Sequence, residues 1–131
     1  MHEDQYPIVA ARRQAYDTLL WQVPTFGVAA QGFLVSAALD AAPRLSASLL
    51  LMASIVGLAV AWLFRRLRFH EVADSELLKT YEAAHPDPGF AVVHGRRAPG
   101  LSAYRLWLVL LVVFVFAEMV GTIIMLWKII G

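Results

Sequence analysis

Three long apolar runs dominate the chain, each longer than a strand and too evenly apolar for one face of a soluble helix. The longest, Leu106 to Trp127, holds 22 residues and a single ionisable group, Glu118. At about 1.5 Å rise per residue it extends roughly 33 Å, enough for a hydrocarbon core of about 30 Å. The run from Ser46 to Phe64 has no charge and stops abruptly at Arg65, Arg66 and Arg68. The run from Leu19 to Leu39 has the length but carries Gln22, Pro24 and Gln31. Pro24 predicts a kink or a helix start there, because proline donates no backbone hydrogen bond. Asp17 or Thr18 fits as the N-cap. A cleaved leader is the competing reading of this first run, since Arg12 and Arg13 precede it and Ser36-Ala37-Ala38 resembles a cleavage site. Glu3, Asp4, Asp17 and the length of the run favour a span instead.

The pattern predicts an all-α integral membrane protein with three transmembrane helices and a single membrane domain over residues 1–131. Its parts are an N-terminal segment 1–18, spans 19–39, 46–64 and 106–127, a hairpin loop 40–45, a polar segment 65–105 and a tail 128–131. Positive charge sets the orientation. The N-terminal segment and 65–105 share one side and hold nine of the eleven Lys and Arg residues, leaving only Arg44 and Lys128 opposite. The positive-inside rule then puts the N-terminus in the cytoplasm and the C-terminus outside. Trp21, Trp62 and Trp107 fall at the inner ends of their spans and Trp127 at an outer end, as an aromatic belt requires. A bacterial inner or plasma membrane is the expected location.

Two stretches outside the spans have helical periodicity. Ile8, Ala11, Ala15 and Leu19 line one face of a helix that would lie at the inner interface. A solvated extension is the equal alternative. Phe69, Ala73, Leu77 and Tyr81 recur every four residues after the second span, among Glu71, Asp74, Glu76, Lys79 and Glu82. The second helix therefore continues beyond the membrane and offers an apolar docking stripe. The N-terminal helix, a second copy or another protein would cover it. His85-Pro-Asp-Pro-Gly89 ends this helix, and Phe90 to His94 reads as a short strand or a buried loop.

Composition narrows the function. The chain is 60% hydrophobic and 16% charged, against about 45–50% and 25% for an ordinary soluble domain. It has no cysteine, which excludes disulfides and thiol catalysis. A net charge of +1 argues against a nucleic-acid partner held by bulk electrostatics. Arg65, Arg66, Arg68, Arg96 and Arg97 form a basic collar whose natural partners are anionic lipid head groups, with a phosphorylated ligand as the alternative.

The candidate chemistry lies at mid-bilayer. Counted from the inner ends, Glu118 and Gln31 are each 12 residues in and Ser54 is 10, which places all three about 15–18 Å deep. A carboxyl group at that depth faces protein or water and marks a functional site by default. Gln31 and Ser54 would bond it within one bundle, or the three would line an oligomer axis. Small residues at four-residue spacing mark helix contacts: Ala53, Gly57 and Ala61, then Ala117 and Gly121, then Gly32 and Ser36. His70-Glu71-Val-Ala-Asp74 has Asp where a zinc-protease helix needs its second His, and His85 or His94 would have to supply a third ligand. It reads as a juxtamembrane helix in which Glu71 and Asp74 offset nearby arginines, so no metal or cofactor is expected. With no nucleophile or phosphate-loop motif, the expected function is non-enzymatic. One reading is a homo-oligomeric, ion-conducting or membrane-perturbing assembly. The other is an accessory or scaffold subunit of a larger membrane complex, docked through the cytoplasmic stripe.

Overall fold

The computed structural model describes residues 5–85 and 102–130, and these are all-helical. Helix α1 runs Tyr6–Leu39, α2 Pro43–Ala84 and α3 Ala103–Ile130. Each is long and apolar enough to cross a membrane. The expected strand at Phe90 to His94, together with His94, Arg96 and Arg97, lies outside the described residues.

The N-terminal segment and the first span are one helix of 34 residues, not two elements. Pro24 sits inside it, buried, and does not end it. Its missing N–H removes one bond, to the Leu20 carbonyl a turn earlier, and the helix runs on through it. Thr25 Oγ1 donates to the Trp21 carbonyl 2.7 Å away in that turn. The connection to α2 is shorter than the expected loop. Asp40 caps α1, Ala42 caps α2, and Pro43 occupies the first turn, where a proline lacks nothing the helix needs. Helix α2 continues unbroken from the apolar run to Ala84, 42 residues or about 63 Å.

Helix α2 is the centre of the molecule. Both α1 and α3 pack along it and scarcely meet each other. Most buried positions of α2 follow steps of three, four or seven residues, at Leu50, Ala53, Gly57, Phe64, Leu67, Glu71, Asp74 and Leu78, with Ser46, Ala47 and Ser54 buried beside them. Leu20, Pro24, Gly27, Gln31 and Ala38 do the same on α1. Leu111, Val115, Glu118 and Thr122 do so on α3. This spacing is the seam of nearly antiparallel helices packed at a shallow angle. Helix α3 begins beside the end of the apolar run of α2, where Tyr104 packs on Phe64 with ring centroids 4.9 Å apart. Beyond that level, among the described residues, α1 and α2 continue as a two-helix stalk.

Close approach is confined to a few positions. A β-carbon on Gly57 would lie 2.2 Å from Gln31 Nε2 and 2.5 Å from Val115 Cγ2. One on Gly27 would lie 2.5 Å from Val60 Cγ1. Ala53 is fully buried and Gly121 sits against Leu50. The other expected packing residues on α1 and α3 do not make contacts within the described part of this chain. Gly32 has open space around it, and Ser36 and Ala117 are exposed. The seam alternates threes and fours, so a strict spacing of four rotates off it. Ala61 is half-buried beside the core formed by Leu20, Phe64, Leu67 and Leu111.

Substitution at Gly57 and at Gly32 will separate these roles. Gly57→Ala should destabilise the fold by about 1–3 kcal/mol through overpacking. Gly32→Ala should be neutral or stabilising by about 0.5–1 kcal/mol, because alanine orders a helix better than glycine. Thermal unfolding of both variants in mild detergent measures the difference.

Candidate functional site

Two polar clusters lie on the same seam. The deeper one joins α1 to α3 across α2. Gln31 is fully buried and Glu118 is 3% exposed. Gln31 Nε2 donates to Glu118 Oε2 at 3.2 Å. The bond passes over Gly57, where a β-carbon would have to displace Gln31 Nε2 and Val115 Cγ2. Thr122 Oγ1 donates to the backbone carbonyl of Glu118 at 2.9 Å, which satisfies the hydroxyl one turn away. Gln31 Oε1 and Glu118 Oε1 are buried without a hydrogen-bond partner.

The expected polar layer is thus brought together in two of its three members. Ser54 is buried at 2% exposure, but its hydroxyl donates to the Leu50 carbonyl at 3.0 Å, within its own helix. A serine inside a helix has that acceptor within reach whatever its neighbours do. The layer faces inward, between the helices of a single chain.

The second cluster holds the stalk. Arg12 clasps Asp74 with both ends of its guanidinium, Nε to Oδ2 at 2.7 Å and an Nη to Oδ1 at 2.5 Å. The hydrogen bond from Arg12 to Asp74, and then the carboxylate's charge, push the guanidinium further up, so the arginine stays ionised. Glu71 receives Arg13 at 3.5 Å and Arg68 from its own helix. Both carboxylates are 4% exposed, and such groups are tolerated inside a helix interface only when paired. At the far end Tyr6 donates to Glu82 at 2.8 Å and packs on Tyr81 with centroids 5.3 Å apart. Burial first, then Glu82, raises the Tyr6 hydroxyl above its usual range. Tyr16 stacks on His70.

The stalk corrects which face of each helix is used. The packed side of α1 carries Tyr6, Arg13, Tyr16 and Leu20, whereas Ile8, Ala11, Ala15 and Leu19 are exposed. On α2 the expected docking stripe is not the face α1 covers. Phe69 is 71% and Leu77 51% exposed, Ala73 is exposed, and only Tyr81 is half-buried. The charged face won because Glu71 and Asp74 lie on the continuing seam, opposite Arg12 and Arg13. The repeat at 64, 67, 71, 74 and 78 was the signal that located it.

Among the described residues no three potential metal ligands converge. His70 lies between Tyr16 and Phe69, His85 stacks on Tyr81, and Glu71 and Asp74 are held by arginines. In the described part of the basic collar, Arg65 and Arg66 are exposed, with Arg66 over the Trp62 ring at 5.6 Å. Arg68 lies over the Tyr104 ring and lines a pocket of about 150 Å³ with Asp17, Trp21, Ser102 and Trp107. The two tryptophans therefore stand at one level. The chain matches no family model, no curated protein and no solved structure.

Asp74→Ala should leave Arg12 without its partner and cost about 1–2 kcal/mol, the strength of a charge-assisted bond reduced for the half-exposed arginine. Backbone amides of residues 6–18 should exchange hydrogen faster in this variant. Adding Arg12→Ala should recover part of the loss, as a double-mutant cycle in detergent will show.

Proposed function

We propose that this chain is a small non-enzymatic integral membrane protein that serves as an accessory or scaffold subunit, its stalk in the cytoplasm and its C-terminus outside. The observation that carries this reading is the stripe of Phe69, Ala73 and Leu77. It remains exposed on the stalk after α1 and α3 have packed on α2. An apolar face at i, i+4 and i+8 outside the bilayer suits an amphipathic helix laid along it. Single exposed apolar residues are ordinary, but a continuous apolar stripe outside the bilayer marks an interaction surface. The orientation rests on the excess of Lys and Arg at the stalk end. A bacterial inner or plasma membrane, with anionic head groups against Arg65 and Arg66, fits that charge.

The second reading is a homo-oligomeric assembly that conducts ions or perturbs the membrane. Its support was the polar layer, and that layer lies between helices of one chain. The outer surfaces carry Phe33, Ile55, Leu58, Val112, Phe116 and Ile123, all exposed. Such a surface suits lipid or another apolar helix and offers no wet path, so the accessory reading is the better supported.

A photo-crosslinker at residue 69 or 77 should capture one distinct protein in native membranes, and Ala73→Asp with Leu77→Asp should abolish it without affecting insertion. The same crosslinker at residue 8 should not capture it. Crosslinks to copies of the chain alone would favour the homo-oligomer. A reporter fused after Gly131 that is active inside the cell would overturn the orientation.

A further inference from the structure

We propose that Gln31 and Glu118 form a proton-binding site, in which Glu118 carries a proton on Oε1 and donates it to Gln31 Oε1. Three observations lead there. First, the two side chains are more than nine-tenths buried, and one oxygen on each lacks a partner. Second, the neighbouring donors are committed. The Ser54 hydroxyl is bonded to the Leu50 carbonyl and the Thr122 hydroxyl to the Glu118 carbonyl. Third, no cation faces the carboxyl group from any helix packed around it. Helix α1 has no ionisable residue between Asp17 and Asp40, and α2 has none between Arg44 and Arg65. Helix α3 has only Glu118 between Arg105 and Lys128. The polar groups bonded to Glu118 are Gln31 from α1 and, at its backbone carbonyl, Thr122 of its own helix, and neither titrates.

A bare carboxylate here would be an unpaired charge in an apolar interior, beside a glutamine oxygen also left unbonded. Both defects are among the costliest a buried site can carry. One proton removes both. A primary amide offers a donor N–H and an acceptor oxygen, and a neutral carboxylic acid offers an O–H and a carbonyl oxygen. The amide already donates to Oε2. The acid then returns a bond to the amide oxygen, and the pair closes on itself with both unpartnered oxygens satisfied. The absence of Cβ at Gly57 is what lets the two groups meet across α2. The spans hold no second titratable group to receive the proton, so the site holds one proton per chain and does not relay it.

The test uses the full chain in lipid nanodiscs at pH 8, where carboxyl groups outside the bilayer are ionised. Infrared spectra should show the C=O stretch of a protonated carboxyl group, absent in Glu118→Gln and moved to higher frequency in Gln31→Leu. Where a variant fails to fold, carbon-13 labelling of the wild-type glutamates serves instead. One of the five should keep the shift of a neutral acid at pH 8. Absence of the band and of the neutral-acid shift in the wild type overturns the proposal. So does a band unmoved in a folded Gln31→Leu, or one that vanishes on adding sodium, which would make the occupant a metal cation.

Discussion

The architecture depends on one missing β-carbon. Helices α1 and α3 both pack along α2 and make few contacts with each other. They are joined at depth by a glutamine that reaches over Gly57 to a glutamate. In lipid, apolar surface gives helices little reason to prefer one another over acyl chains, so close packing and polar contacts carry the association. The Gln31–Glu118 bond supplies the polar contact, and Gly57 with Gly27 supplies the close approach. Any larger residue at 57 would push the flanking helices apart where they are chemically linked.

The seam does not stop at the membrane. The same alternation of threes and fours runs along α2 from Leu50 to Leu78, but the residues on it change with their surroundings. Within the apolar part they are small or apolar, ending at Phe64. On the stalk, Glu71 and Asp74 take over and meet arginines from α1. Water makes an apolar face sticky to anything, whereas an ion pair fixes register and partner. The fixed register explains how aromatic contacts at Tyr6 and Tyr16 and the bidentate Arg12 clasp are met together along one pair of helices. The paired carboxylates also leave the apolar stripe of α2 uncovered, since α1 has been committed to the other face.

Much of this was legible in the sequence, and the gaps have physical causes. Three apolar runs of membrane-spanning length, the helical continuation past Phe64, and its end before the Pro-Asp-Pro stretch all follow from periodicity and proline chemistry. Equal counting depth brought Gln31 and Glu118 to one level, and they are bonded. Ser54 shared that depth, yet depth fixes height and not direction, and its hydroxyl had a nearer acceptor in its own backbone. The small residues misled in the same way. Gly32 and Gln31 are adjacent in sequence, but a step of one on a helix turns the side chain by about 100°, so Gly32 points away from the seam. The stalk was harder still. Hydrophobicity alone selects Phe69 and Leu77 as the contact face, and only opposite charges aligned on both helices reveal the buried one.

Helix α2 has no internal proline and is a single rod of 42 residues from the hairpin to the stalk tip. Its outer part carries the uncovered stripe, and its deeper part carries Gly57. A torque applied at Leu77 therefore has no joint at which to dissipate before it reaches the crossing of Gln31 and Glu118. The uncovered stripe and the Gly57 crossing are thus two points on one lever, so a load placed on the first would be felt at the second.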